Sequence, residues 1–232
     1  MAVSHALLRA AATDGTASVR IWRPLRPALS VGRLDARDPR LRDVLELSRQ
    51  AGVPAVRRLA GGRAAAFDAG CLCLGWAQPR PRLEESGARY QLIGDAIIEA
   101  FGALGADTAL GEIDGEWCPG AWSVHGSSGK LAGLAQRVIA GGAWCEALIM
   151  IDVTPQLRDL ASEVHAVLGL DWSDAAQGAL RPLVHPTPDL HADAATALAR
   201  ALEGKLGPLE PAALPESAAA RARELAPEHR FV

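Results

Sequence analysis

The pair Gly141-Gly142 separates two strand-like runs, residues 130–139 and 143–153, and this commits the chain to antiparallel sheet. Glycine supplies the positive φ that a tight turn needs, so the two runs are expected to fold back on each other. Shorter strands are expected at 18–22, 28–31, 56–58, 108–113 and 122–125, with a run at 64–76 broken near Gly70. Helices are expected at 4–12, with Ser4 as its cap, and at 38–50, with Asp38 as cap and Pro39 in the first turn. Residues 90–104 repeat Leu92, Ile93, Ala96, Ile97, Ala100 and Phe101 at helical spacing. Three further helices follow, at 155–168, 190–202 and 215–225. Hairpins and helices without regular β-α alternation give an α+β architecture, a mixed, largely antiparallel sheet packed with helices.

With 49% hydrophobic and 22% charged side chains, the chain can bury a core, which excludes a disordered or collagen-like polypeptide. No apolar run reaches the ~18 residues of a membrane helix. The N-terminal stretch lacks the basic start, apolar stretch and cleavage site of a secretory signal. A cytoplasmic chain is therefore expected, with neither membrane nor nucleic acid as partner. Its four cysteines, Cys71, Cys73, Cys118 and Cys145, are expected as thiols rather than a disulfide framework. The C-x-C at 71–73 has no second Cys/His pair nearby, so no metal is expected. Residues 1–82 carry 14 arginines against 6 acidic residues, whereas residues 83–232 carry 10 basic against 21 acidic. The basic part suits an acidic partner, or reflects only that arginine is the default cation here. Of the 24 basic residues only Lys130 and Lys205 are lysines, so a lysine in a particular place needs a reason.

Three segments carry candidate chemistry. In Arg57-Arg58-Leu59-Ala60-Gly61-Gly62-Arg63, paired glycines let a ligand approach backbone N–H groups, and the arginines suit an anionic or carbonyl-bearing ligand. The plain alternative is a glycine turn with solvated arginines. No Lys-Ser/Thr follows and no G-x-G-x-x-G opens a helix, so the common nucleotide loops are excluded. In Glu116-Trp117-Cys118-Pro119-Gly120 the cysteine stands on a turn, where its thiol can face a cleft and a nearby cation would favour the thiolate. The alternative is a small buried hydrophobe. In Gly129-Lys130-Leu131-Ala132-Gly133-Leu134-Ala135-Gln136-Arg137, strict alternation places Lys130, Ala132, Leu134 and Gln136 on one face. Small residues beside the lysine would leave a groove where its ammonium meets a carbonyl oxygen. The alternative is an edge lysine that discourages aggregation. Trp76, Trp117, Trp122 and Trp144 are candidates for an apolar pocket or for core.

Together, RRLAGGRAAAFDAG and EWCPGAWSVHGSSGKLAGLAQR resemble the lipoate-protein ligase and octanoyltransferase family, whose catalytic domain is similar to that of biotin ligases. RIWRPLRPALSVGRLDARDP is similar to its N-terminal hairpin. Within the family the ligases carry R-R-x-S-G-G-G-A-V-x-H-D. This chain keeps Arg57, Arg58, Gly61, Gly62 and Asp68, but has Ala60, Arg63 and Phe67 where the Ser, third Gly and His stand. Its Cys-Pro-Gly turn followed by G-K-x-A-G-x-A-Q-R resembles instead the octanoyl amidotransferase branch, with Trp122-Ser123-Val124 departing from that branch's Tyr-Asp.

The resemblance implies Cys118 as the nucleophile and Lys130 as the group orienting the acyl carbonyl. It implies acyl-substrate binding by Arg57, Arg58, Gly61, Gly62, Asp68, Ala132, Gly133, Gln136 and Arg137. The implied reaction moves an octanoyl or lipoyl group, through a Cys118 thioester, to the acceptor lysine of a lipoyl carrier domain. Such a carrier would be the glycine cleavage H protein or a 2-oxoacid dehydrogenase subunit, and no cofactor is required. An ATP- and Mg-dependent lipoate or biotin ligase working through an acyl-adenylate is the alternative within the family. A non-catalytic acyl- or carrier-binding module is the alternative outside it. Residues 1–203 are expected to form the catalytic domain and 204–232 a helical tail.

Overall fold

The computed structural model describes residues 1–231, Leu83 by its backbone alone. Along the chain the first elements are α1 (Ala2–Asp14), β1 (Ser18–Trp22), β2 (Ala28–Val31), α2 (Leu41–Gln50), β3 (Ala55–Arg57), β4 (Ala65–Phe67) and β5 (Cys71–Pro79). There follow α3 (Ser86–Ala103), β6 (Thr108–Leu110), β7 (Ser123–Gly126), β8 (Gly129–Ile139) and β9 (Gly142–Met150), then α4 (Pro155–Leu168), α5 (Leu190–Leu206) and α6 (Glu216–Leu225).

The expected hairpin forms the middle of a six-stranded antiparallel sheet. β8 and β9 turn at Gly141, whose φ is 82°. β5 pairs along the length of β9, and the strand order is β1-β5-β9-β8-β7-β6. A second sheet of three strands has β2 in its centre, parallel to β3 and antiparallel to β4.

Period-two alternation sorts the large sheet into two faces. Leu72, Leu74 and Trp76 of β5, with Cys145, Ala147 and Ile149 of β9, pack under α3 and α5. The apolar stripe read at 90–104 meets them through Ile93, Ile97 and Phe101, all fully buried. Each such side chain contributes ~1.5–3 kcal/mol relative to exposure. On the opposite face α1 lays Leu7, Leu8 and Ala11 over Ala77 and Trp144. Gly75 makes room for that tryptophan, because a Cβ there would lie 2.0 Å from its ring. The small sheet packs with α2 and α4 through Leu29, Val31, Val44, Leu160 and Val164.

Two helix starts differ from expectation. α1 begins at Ala2, so Ser4 lies inside it, fully buried, instead of capping it. α2 begins at Leu41; Asp38 accepts the Arg40 N–H and pairs with its guanidinium, which caps the preceding turn. The boundary expected between residues 203 and 204 falls inside α5, while α6 packs Ala222 and Leu225 against Ala6 of α1.

A chain of imidazoles closes the seam between α1 and the C-terminal segment. Arg9 Nε donates to His5 Nε2, His5 Nδ1 lies 3.3 Å from His229 Nε2, and His229 Nδ1 lies 2.8 Å from the Arg57 carbonyl oxygen. With both rings neutral each nitrogen has a matched role, the donor direction running from Arg9 to the Arg57 oxygen. Burial pushes both imidazoles below their ordinary 6.5, and each depends further on nearby positive charge. On acidification below 6.5 the unfolded chain therefore takes up protons before the folded one, and stability falls with pH. The melting temperature is expected to drop between pH 7 and pH 5.5, and to drop less in a His5→Gln/His229→Gln variant. Equal drops in the two proteins would refute the assignment.

Candidate active site

The two sheets face each other across a cavity of about 230 Å³. Its apolar wall is built from Trp22, Phe67, Tyr90, Trp122, Leu134 and Leu148, with Tyr90 and Trp122 stacked at 5.1 Å. Its polar lining includes Arg58, Cys118 and Lys130, together with Ser30, Ser123 and Glu146.

Cys118 lies on the long connection from β6 to β7 with φ of 44°, a left-handed conformation that costs a residue with a Cβ ~1–3 kcal/mol. A buried ion pair holds the backbone there. Lys130 Nζ donates to the carbonyl oxygens of Trp117 at 2.7 Å and Cys118 at 2.9 Å, and to Glu116 Oε1 at 3.0 Å. An ammonium has three protons, and these three oxygens take them. Glu116 in turn accepts from Ser123 Oγ at 2.6 Å, Gly120 N–H at 3.0 Å and Ile113 N–H at 3.2 Å, tying the connection together. The Trp117 ring covers the ammonium at 4.2 Å. Burial lowers the Lys130 pKa, while the negative charge available at Cys118 and Glu116 opposes that shift.

The thiol itself meets donors from the glycine-rich segment. Arg63 N–H lies 3.2 Å from Cys118 Sγ and Arg58 Nη2 3.9 Å from it. Arg58 is held by the carbonyl oxygens of Gly61 at 2.5 Å and Arg63 at 2.7 Å. Asp35, fully buried, accepts from Arg63 Nη1 at 2.8 Å and from the Ala64 N–H, and so fixes the same loop. Gly62 has φ of 92°, and a Cβ on it would lie 2.7 Å from Arg58 Nη2 and 3.0 Å from Cys118 Sγ. Only glycine fits that gap. The remaining cysteines are placed differently: burial pushes the Cys71 and Cys145 thiols up to about 12, and Cys73 well above its ordinary value. Cys118 alone of the four is partly exposed among the described residues.

Of the residues singled out from the sequence, the structure gathers Cys118, Lys130, Arg58, Gly61, Gly62 and Gly133 around the cavity. The alternation expected for β8 is corrected at its start. Val124 pairs with Ala132 and His125 with Lys130, so a bulge leaves Leu131 without a partner. One extra residue reverses the facing of everything before it. Lys130 therefore shares a side with Gly133, where a Cβ would lie 3.2 Å from Lys130 Cε, while Leu131 and Ala132 join the core beneath α3. Arg57, Asp68, Gln136 and Arg137 lie outside the lining of this cavity. Arg57 is exposed, with its guanidinium over Phe231. Asp68 accepts from Gly70 N–H and Thr154 Oγ1. Gln136 receives Arg89 Nε at 3.0 Å and donates to the Ser86 carbonyl. Arg137 lies near Arg9 and Arg33, whose charges reinforce the lowering that burial imposes on it. Trp117 and Trp122 line the cavity, whereas Trp76 and Trp144 are core. Sequence reasoning assigned no role to Glu116 or Asp35. Glu116 at least carried a signal, as an acid two positions before the cysteine in a turn that must bury its polar groups.

The model of the lipoyl protein ligase A/B catalytic domain matches residues 1–170. The chain belongs to this family. Among relatives, an octanoyl-[GcvH]:protein N-octanoyltransferase of Exiguobacterium sibiricum is 28% identical over 187 residues, 80% of this chain and 65% of that protein. The enzyme of the same name from Geobacillus kaustophilus is 30% identical over 145 residues, 61% of this chain and 50% of that protein. The chain thus spans about half to two thirds of the length of the curated relatives it matches. A lipoate-protein ligase A bound with ATP superimposes with a TM-score of 0.77 at 18% identity, covering 97% of this chain and 87% of that one. A bipartite lipoate protein ligase from Thermoplasma acidophilum does so at 0.71 and 16%, covering 97% and 85%. The lipoyl protein ligase fold, α+β with a largely antiparallel sheet, is therefore shared. Among the described residues no group of three or more His, Cys, Asp or Glu side chains is placed to hold a metal ion, and no helix is long and apolar enough to cross a membrane.

Proposed function

We propose that this lipoyl ligase-family chain moves an octanoyl group from one carrier protein to a lysine of another through a thioester on Cys118. The observation that carries the reading is the thiol of Cys118 in the cavity, on a left-handed turn clamped by the Lys130–Glu116 pair. The relatives' names, which describe octanoyl transfer from GcvH to protein, support the choice of acyl group and carrier. The cavity fits it too: a dry cavity of ~150 Å³ takes up benzene, and one of about 230 Å³ suits a longer unbranched chain. Burying that chain contributes ~0.8 kcal/mol per methylene.

The reaction begins with Cys118 Sγ on the carbonyl carbon of the carrier-bound octanoyl amide. Lys130 orients that carbonyl by giving up its bond to the Cys118 oxygen. The carrier lysine leaves, and the lysine of a second lipoyl domain, such as that of a 2-oxoacid dehydrogenase subunit, attacks the thioester. An existing acyl bond is exchanged throughout, so the reaction draws on neither ATP nor a cofactor. The basic group of Arg137, Arg9 and Arg33 offers an acidic carrier a docking surface. Four free thiols suit a reducing cytoplasm.

Intact-mass analysis tests the reading. Octanoyl-loaded GcvH is expected to leave one octanoyl group on Cys118, and adding unloaded lipoyl domain is expected to discharge it. Transfer that proceeds with no adduct on Cys118 would refute the thioester. Pyrophosphate released from ATP and free lipoate would assign the chain to the ligases instead.

A further inference from the structure

We infer that Arg58 is a catalytic residue of this transfer, its Nε–H receiving the negative charge that forms on the acyl oxygen when Cys118 attacks. The inference rests on the thioester reading above and adds a second carbonyl donor to it. Arg58 is 8% exposed and lines the same cavity as the thiol. Its Nη2 is spent on the Gly61 and Arg63 carbonyl oxygens, and that same nitrogen lies 3.9 Å from Cys118 Sγ. Its Nε, by contrast, is buried with no hydrogen-bond partner among the described residues. A buried donor left unpaired costs ~1–3 kcal/mol, more when it is charged. Such a cost is offset when a ligand oxygen arrives.

Lys130 differs on this point. All three of its protons are held by protein oxygens, so it must break a bond to the nucleophile's own loop before it can take another. Arg58 Nε–H has no bond to give up before it takes an oxygen, so less reorganisation stands between it and the acyl group. Gly62 keeps the approach open, since a Cβ there would stand against both the guanidinium and the sulfur.

In the step itself a sulfur lone pair forms the C–S bond, and the carbonyl π pair moves onto oxygen, opposite the guanidinium. When the carbonyl re-forms, the C–N bond of the octanoyl-lysine amide breaks, and the amine leaves with the proton that the thiol has given up. The same oxyanion forms when the acceptor lysine attacks the thioester, so Arg58 serves both halves of the exchange.

Two reactions of Cys118 separate this role from a structural one. Acylation by p-nitrophenyl octanoate passes through an oxyanion; alkylation by iodoacetamide does not. The ratio of their rate constants is expected to fall ~10²-fold in Arg58→Gln, the usual loss for one oxyanion donor. It is expected to fall also in Arg58→Lys, which keeps a cation near the sulfur but lacks Nε–H. A ratio unchanged in Arg58→Gln, whether both rates fall together or neither falls, overturns the inference, as does a wild-type ratio in Arg58→Lys. Adduct formation from octanoyl-loaded GcvH judges the thioester reading independently.

Discussion

Replacing Cys118 by serine is expected to lower octanoyl transfer at least ~10³-fold, with no acyl adduct detectable by intact mass. The melting temperature is expected to move by less than ~3 °C, because one oxygen replaces one sulfur at a partly exposed position. The size of the loss follows from the surroundings. Sγ receives the Arg63 N–H and faces the Arg58 guanidinium, donors suited to a sulfur that carries negative charge as it attacks. A serine hydroxyl in the same place does not ionise near neutral pH and is the weaker nucleophile. Nor can another cysteine take over: Cys71 and Cys145 are buried with thiols pushed up to about 12, and Cys73 is higher than its ordinary value too. Activity retained in the serine variant would remove Cys118 from the mechanism.

The fold was legible where hydrophobic period and turn chemistry agree. The Gly141-Gly142 turn placed β8 and β9, and the stripe through Ile93, Ile97 and Phe101 placed α3, because both signals are local to the chain. The site was legible only in part. Its two principal residues stood out, Cys118 for its turn and Lys130 for its rarity, yet the face on which Lys130 lies was misread. Strict alternation put it beside Ala132, whereas the bulge at Leu131 turns it to the side of Gly133 and the cavity. A bulge is set by the pairing of two strands and leaves no mark on either alone. The same holds for Asp35 and Arg58. Asp35 fixes a loop 28 residues further on, and nothing in its own segment announces that. Arg57 and Arg58 are identical residue types, but Arg57, the last residue of β3, is exposed and Arg58, just beyond the strand, lines the cavity. Glu116 is the clearest omission, because its partner Lys130 had already been singled out for lacking an ordinary explanation.

That pair sets the second large effect. Lys130 and Glu116 side chains are 1% and 0% exposed. Removing one member of such a pair leaves the other charge buried and uncompensated, at a cost of ~3–5 kcal/mol, whereas removing both charges costs far less. Lys130→Met is therefore expected to lower the urea midpoint sharply. Adding Glu116→Gln is expected to restore more than ~1 kcal/mol of the loss, as a coupled neighbour should. The amide still accepts from Ser123 and Gly120, but no longer needs a cation. Transfer activity is not expected to return with stability. The double variant keeps the hydrophobic core but has nothing to hold the Trp117 and Cys118 carbonyl oxygens, so the left-handed turn at Cys118 can relax and carry the thiol away from Arg63 N–H. Strictly additive stability losses would mean that the two side chains do not act as a unit. A stable double variant with full activity would mean that Lys130 serves the fold alone.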